Sequence, residues 1–417
     1  MTPAIASNSP GPLTDGERSD VLDALRGLAL LGIFISHVPD FSGHTFMTPV
    51  EQAALDRFGI DGAAALLQDF LIRGKFYSLF SLLFGIGFAV QLESAARRGA
   101  DFVSHFVRRL TVLLVIGLIH ACVWYGDILK DYALIGFVLV LLRRSSATTI
   151  ALVAAFAFAL RVAWPVIVST LVSAMLPVSS GTDPGGSFVA LTRVFDGTDP
   201  SAIFFANLEL LHLKALQMIY DGKAISILCM FLIGALIGKL GLYRNVSAHR
   251  KLFRRVFWIC APVGVIGNAV LTPMHAATPD FPPTGMWVIE NGLYAIAVPA
   301  MAVAYASGFA LLWSRGWRSM LSWTTPAGRM ALTTYVSQTL IGVALFYGVG
   351  LGLRGQIGLV EGTILAIGIF AMQCMIARFW LRWFLFGPIE WIWRRATYGA
   401  PIPLLRHFAP KASRASV

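Results

Sequence analysis

Charged side chains are scarce in this sequence of 417 residues: Asp, Glu, Lys and Arg together make up only 13%. Soluble domains carry about 25% charged residues, so the chain has roughly half the usual charge. Apolar residues account for 57%. This composition excludes a soluble globular enzyme, a disordered chain and a collagen-like fibre, and it indicates an integral membrane protein.

Cysteines are few, and nucleotide-binding and metal-binding motifs are lacking. The four cysteines lie inside apolar runs without a Cys-x-x-Cys pair: Cys122, Cys229, Cys260 and Cys374. We therefore expect reduced packing residues, no disulfide and no bound metal. The sequence has no P-loop, dinucleotide fingerprint, His-Glu-x-x-His or Gly-x-Ser-x-Gly motif, which argues against an ATPase or a zinc peptidase.

Long apolar runs are abundant, and none alternates like a barrel strand, so we expect helical spans of about 20 residues each. About ten are predicted: 21–39, 68–92, 107–126, 128–142, 147–176, 223–241, 253–272, 286–313, 328–350 and 359–386. The predicted fold class is an all-α integral membrane protein with one transmembrane helical domain over 18–395. A polar N-terminus (1–17), which lacks the basic start of a cleaved signal peptide, precedes it, and a basic tail (396–417) follows.

The positive charges predict the orientation of the spans. With both termini in the cytoplasm, the inner side collects 24 basic and 7 acidic residues, and the outer side 8 basic and 15 acidic residues. The opposite orientation would place every basic cluster outside, against the positive-inside rule. The net charge of +11 is therefore attributed to inner loops, and we expect no nucleic-acid partner.

Two of the predicted outer segments are long, 40–67 and 177–222. The second has turn-rich stretches at 181–186 and 196–200, followed by a predicted interfacial helix over 201–220. These segments either cover an outward-facing cavity or serve as plain connecting loops.

Ionisable residues at membrane depth are costly and are functional candidates by default. On the first span, Asp23, Arg26 and His37 fall within about 60° of one another on a helix. Arg26 and His37 are roughly 16 Å apart along the axis, so they could contact two ends of one long ligand. The alternative is a boundary Asp23–Arg26 pair and an interfacial histidine before Pro39.

The third span repeats this spacing with Arg109 and His120, which places a second histidine at a similar depth. Arg108 and Arg109 offer cations at the inner end, and Tyr125 and Asp127 follow His120 in a turn. A neutral imidazole near a carboxylate suits general-base catalysis near pH 7.

Further polar residues within predicted spans are Glu290, Tyr335 and Gln338. Most such residues are helix–helix hydrogen-bond partners. We include these three with Tyr125 and Asp127 as candidates for contacting an acceptor or an oxyanion.

Six segments resemble the YeiB-like family, bacterial membrane proteins named for a domain of unknown function. These segments are 18–27, 75–88, 126–136, 231–241, 328–335 and 387–394. The resemblance implies a multi-pass protein of the bacterial cytoplasmic (inner) membrane, and it implies no particular activity.

A more distant resemblance links the first span to transmembrane acyltransferases. An Asp-x-x-Arg-Gly segment and a histidine that follows the arginine after ten intervening residues are similar to the acyltransferase-3 family, to which the heparan-glucosaminide acetyltransferase group is related. Applied to Arg26 and His37, this resemblance implies a cytoplasmic acyl-CoA donor, with acetyl-CoA as the expected one, an acceptor on the far side and a membrane-embedded catalytic histidine.

We therefore expect an acyltransferase with His37 and His120 as catalytic candidates and Asp23, Arg26, Arg108 and Arg109 around the donor. The acceptor is open between an envelope sugar, a lipid headgroup and an exported small molecule. The main alternative is a small-molecule transporter, although the chain lacks two related halves with broken helices. A structural or sensory membrane protein is the second alternative.

Overall fold

The structure, a computed structural model, describes residues 19–99, 101–175, 184–278, 281, 283–398 and 402–406. The N-terminus predicted over 1–17 lies outside these residues. The same holds for 181–183 of the first turn-rich stretch and for most of the predicted tail.

The described residues form an all-helical protein, as the sequence predicts, with seventeen α-helices and three short 3₁₀ turns. The α-helices are α1 (Asp20–Ser42), α2 (Pro49–Leu55), α3 (Asp61–Leu71), α4 (Lys75–Arg97), α5 (Phe102–Val123), α6 (Leu129–Leu141), α7 (Ala147–Met175), α8 (Pro184–Thr192), α9 (Pro200–Tyr220), α10 (Lys223–Lys239), α11 (Arg250–Ala277), α12 (Gly285–Ser314), α13 (Arg318–Leu321), α14 (Thr325–Arg329), α15 (Ala331–Phe346), α16 (Leu359–Trp383) and α17 (Pro388–Tyr398). The four cysteines are free thiols.

Eight segments of the described chain are long and apolar enough to cross a membrane. They are α1, the continuous stretch of α3 and α4, and α5, α7, α9, α11, α12 and α16. This shows a multi-pass membrane protein. Large apolar side chains such as Phe156, Phe205 and Ile266 are exposed on these helices, as expected of surfaces that face lipid.

The set of long helices differs from the predicted ten spans at four places. The runs 128–142, 223–241 and 328–350 form α6, α10 and α15, which have 13, 17 and 16 residues. Helices of that length rise about 20–26 Å, less than the roughly 30 Å hydrocarbon core. Conversely, the stretch predicted as interfacial forms α9, which has 21 residues and meets the criterion for a span.

Helix α1 lies at the centre of the fold and packs against α4, α14, α15 and α16. Close approach to α14 depends on two glycines, since a Cβ at Gly27 would collide with Thr324 and one at Gly328 with the backbone of Asp23. This contact holds the beginning of α1, with Asp23 and Arg26, against the short helix that leads into α15.

Carboxylates from distant parts of the chain cap the N-termini of α15 and α16. Oε1 of Glu390 accepts hydrogen bonds from the backbone N–H groups of Leu332 and Thr333, at 2.6 and 3.0 Å. Asp61 likewise accepts from the first two N–H groups of α16, at 2.7 and 2.9 Å. Such capping offsets the unpaired donors of a helix N-terminus and joins remote segments.

Candidate functional site

Two histidines from different helices lie against one tyrosine at one end of the fold. The ring of His37 on α1 lies 6.3 Å from the ring of Tyr335 on α15, and that of His120 on α5 lies 5.3 Å from it. Trp124 completes this histidine cluster, with its ring 4.5 Å from His37. The structure thus brings together His37, His120 and Tyr335, which the sequence analysis names as site candidates on three different spans.

His120 is oriented by a carboxylate. Its Nδ1 lies 2.7 Å from Oδ1 of Asp127, and both side chains are buried. The other oxygen of Asp127 accepts a hydrogen bond from the backbone N–H of Lys130 at 3.0 Å, which fixes the carboxylate. An imidazole held in this way at Nδ1 presents the lone pair of Nε2 as a base.

Several buried polar atoms around the histidine cluster lack a hydrogen-bond partner among the described residues: His120 Nε2, Trp124 Nε1, the Tyr125 hydroxyl and Gln338 Oε1. Buried polar groups are nearly always paired, so such a concentration is typical of a site that receives a polar ligand. The backbone here is firmly held, because Asn207 of α9 accepts from the Tyr125 N–H and donates to the Val123 carbonyl.

At the opposite end of α1, Arg26 pairs with Asp23 at 2.6 Å, as the boundary-pair alternative predicts. Arg26 also extends toward Gly87 of α4. Its Nη2 lies 3.7 Å from the point that a Cβ atom would occupy if residue 87 had a side chain. The charge of Arg26 acts on Arg109 of α5.

A basic cleft of about 80 Å³ lies at this same end and contains Gln91, one turn beyond Gly87 on α4. Its cationic residues are Arg98, Arg109 and Arg394. Burial, together with the charge of Arg109, lowers the pKa of Arg394 to about 10. Several guanidinium groups that repel one another in a concave site favour an anionic ligand.

Aromatic rings beside the basic cleft position two of its arginines. The ring of Trp393 lies 3.9 Å from the guanidinium of Arg109, and the ring of Phe386 lies 4.4 Å from the guanidinium of Arg394. His105 packs on Tyr398 at 4.3 Å, and its buried Nε2 has no partner among the described residues. Stacked arginines of this kind keep their edge N–H groups available for an anion.

Two predicted site residues lie apart from these features. Arg108 is exposed and is not among the residues that line the basic cleft. Glu290 pairs with His275 of α11 at 2.7 Å and forms no hydrogen bond with the histidine cluster among the described residues. Helical periodicity explains the first result, because successive residues point 100° apart.

Gln338 lies one turn beyond Tyr335 and donates from Nε2 to Gln373 of α16 at 3.2 Å. It therefore links α15 to α16, in agreement with the expectation that most such groups join helices.

Sequence reasoning missed Arg394, His105 and Trp124. Arg394 ends the segment 387–394 that carries part of the family resemblance, which was the available signal. Among the residues that the structure describes, no three His, Cys, Asp or Glu side chains come together as metal ligands would.

Comparison with known proteins gives one family and several full-length relatives. The family model for a protein of unknown function (DUF418) matches residues 237–400. The uncharacterised protein YxaH of Bacillus subtilis is 32% identical over 406 residues, which cover 93% of this chain and 96% of that protein. The uncharacterised protein YeiB of Escherichia coli is 28% identical, with 93% and 98% coverage.

A third relative, an uncharacterised 39.9 kDa protein encoded in the amylase 3′ region of Bacillus acidopullulyticus, is 26% identical over 410 residues. The match covers 94% of this chain and 98% of that protein. No solved structure matches the chain.

Proposed function

The chain belongs to the YeiB-like family of unknown function (DUF418), and we propose that it is a transmembrane acyltransferase of the bacterial cytoplasmic membrane. The observation that carries the proposal is the pairing of two sites along α1. Arg26 lies at one end of α1, on the side of the basic cleft that α4, α5 and α17 line. The histidine cluster lies at the other end, and Arg26 and His37 are roughly 16 Å apart along the helix.

The donor that fits this arrangement is an acyl-CoA, with acetyl-CoA as the first choice. Its phosphate-rich head suits the arginines of the basic cleft, which the positive-inside rule assigns to the cytoplasm. Its long thin arm would pass Arg26 and bring the thioester to the histidine cluster. The acceptor would enter from the opposite membrane face.

The proposed reaction is a direct acyl transfer. The acceptor hydroxyl or amine attacks the thioester carbonyl carbon, and its proton passes to His37. The carbon–sulfur bond breaks, and the coenzyme A thiolate leaves and takes up the proton held by His37, which restores the neutral imidazole. Trp124 Nε1 is an unpartnered donor in the described structure that can stabilise the oxyanion.

We assign the base role to His37 because its ring is half-buried and can meet a substrate, whereas His120 is only 4% exposed. His120 and Asp127 supply a second, oriented imidazole on the other side of Tyr335. In this assignment His120 and Asp127 stabilise and position the reacting groups, and His37 is the first proton acceptor.

Binding and chemistry are separable by experiment. Isothermal titration of acetyl-CoA is run with wild type, His37→Ala and Arg26→Ala, beside an assay of thioester cleavage. Loss of a general base costs about 10²–10⁴-fold in rate, so His37→Ala should lose turnover and keep near-normal affinity. Loss of a charge-assisted contact costs about 1.5–3 kcal/mol, so Arg26→Ala should bind the donor more weakly.

Arg255→Ala serves as the control, because this arginine is exposed at the start of α11. It should leave both affinity and turnover unchanged. If wild type binds no acyl-CoA, the acyltransferase proposal fails and the transporter hypothesis takes precedence.

The orientation is tested separately by labelling single cysteines introduced over 244–251 with a membrane-impermeant thiol reagent in intact cells. We expect protection from outside, because this stretch is rich in the basic residues that mark a cytoplasmic loop. Labelling in intact cells would reverse the assignment and place the donor cleft on the wrong side for acyl-CoA.

A further inference from the structure

Two lysines at the His37 end of the fold carry no ion pair within the described residues. Lys214 lies on α9, with its Nζ 5.0 Å from the ring of Phe188 and 5.7 Å from that of Tyr125. Lys223 begins α10, with its Nζ 5.0 Å from the ring of Tyr77. An aromatic face attracts an ammonium group but does not use its three hydrogen-bond donors.

These lysines belong to the surroundings of the histidine cluster. The charges of Lys214 and Lys223 both act on His37, and that of Lys214 acts on Lys223. Tyr125 follows Trp124 in the chain, and Trp124 is the residue whose ring contacts His37. The path from Lys214 to His37 is thus a continuous set of ring contacts.

Carboxylates lie near this pair of cations, but none forms an ion pair with either lysine among the described residues. The charges of Asp131 and Asp221 act on Lys223, and so does that of another cation, Lys130. Asp131 forms an ion pair with Lys130 at 3.3 Å. With Asp127, three lysines and three carboxylates meet here, and Lys214 and Lys223 are the two lysines without an ion pair among the described residues.

An unpartnered hydroxyl provides a second, independent observation. The Tyr125 hydroxyl is buried beneath Lys214 and has no hydrogen-bond partner among the described residues, and the residue is only 2% exposed. A buried hydroxyl beside an unpaired ammonium group favours a ligand with several acceptor oxygens.

This inference rests on the acyltransferase function proposed above. We propose that the acceptor is a phosphate-bearing alcohol, whose phosphate is held by Lys214 and Lys223 while its hydroxyl meets His37. A phosphate offers an oxygen to each lysine and one to the Tyr125 hydroxyl. In the reaction an ester bond forms at the acceptor hydroxyl, the thioester carbon–sulfur bond breaks, and the phosphate is unchanged.

The test uses the full-length protein in nanodiscs of phosphatidylcholine with acetyl-CoA labelled in its acetyl group. Two matched pairs of acceptors are compared: glycerol 3-phosphate with glycerol, and phosphatidylglycerol with diacylglycerol. We expect label on the phosphate-bearing member of one pair and little on its neutral partner. The pair that is labelled distinguishes a soluble acceptor from a lipid headgroup, and equal labelling within both pairs would overturn the inference.

Variants locate the phosphate. Lys214→Gln and Lys223→Gln should each raise the KM for the acceptor at least about ten-fold, as expected for a charge-assisted contact. Lys214→Arg should restore much of the loss, which a folding defect would not allow. Arg193→Gln, an exposed cation on the same predicted face, should behave as wild type.

Failure of the inference is distinguishable from failure of the proposed function. Native mass spectrometry of wild type and both glutamine variants measures retention of phosphatidylglycerol and of glycerol 3-phosphate without any reaction. If wild type retains neither probe, or if the glutamine variants retain as much as wild type, the phosphate site is refuted. If a probe is retained through the lysines but no thioester is cleaved, the site stands and the acyltransferase proposal falls.

Discussion

Replacing Asp127 by asparagine tests whether the orientation of His120 matters to the chemistry. The carboxylate lies 2.7 Å from Nδ1 of His120 and 3.0 Å from the backbone N–H of Lys130, through different oxygens. An asparagine side chain has only one oxygen, so it cannot accept hydrogen bonds at both positions. If that oxygen stays with the Lys130 N–H, the amide NH₂ faces Nδ1 and forces the proton of His120 onto Nε2, which reverses the tautomer.

The size of the effect follows from the bond that is lost. A buried charge-assisted hydrogen bond contributes about 1.5–3 kcal/mol, which corresponds to about 10- to 150-fold in rate if all of it acts in the transition state. We therefore expect Asp127→Asn to lower thioester cleavage by that factor, with donor affinity unchanged, since the basic cleft lies at the other end of α1. His37→Ala should lower it further, by about 10²–10⁴-fold.

Single-turnover cleavage of labelled acetyl-CoA in wild type, Asp127→Asn, His120→Ala and His37→Ala measures these steps apart from product release. An Asp127→Asn rate within two-fold of wild type would show that the oriented imidazole has no part in the reaction. A loss with His120→Ala that exceeds the loss with His37→Ala would refute our assignment of the base and move that role to His120.

Three further predictions concern donor binding and stability. Arg394→Gln should weaken acetyl-CoA binding about 10- to 150-fold by titration, whereas Arg395→Gln on the same helix, with an exposed side chain, should change it little. Gly328→Ala should lower the thermal unfolding midpoint in detergent by the equivalent of about 1–3 kcal/mol or more, while Gly368→Ala, where a Cβ meets nothing within 4 Å, should not. Glu390→Gln should destabilise by about 1–3 kcal/mol, because two N–H groups and the Thr333 hydroxyl lose a charged acceptor, and an unchanged midpoint would contradict the capping role.

The spans are the feature that sequence predicts best, because the bilayer imposes a length and an apolar composition on each one. Seven of the ten predicted spans coincide with long apolar helices, α1 among them. The other three, α6, α10 and α15, are apolar but only 13, 17 and 16 residues long. Where α9 lies, the sequence predicts an interfacial helix after two turn-rich stretches, and this helix is the least apolar of the eight segments, with a mean hydropathy of 1.3.

Part of the candidate site could likewise be predicted from the sequence, and part could not. Spacing along one helix is a local property, so the common face of Asp23, Arg26 and His37 could be read from the sequence. The pairing of His120 with Asp127 was within reach for the same reason, since a single turn separates them.

Contacts between helices could be decided only by tertiary structure. Nothing in the local pattern says that Trp124 would meet His37, or that Arg394 would join Arg109 in one cleft. The same is true of Glu390, which caps α15 from 58 residues further along the chain. A helix determines which of its residues share a face, but the residues opposite that face depend on how all the other helices pack.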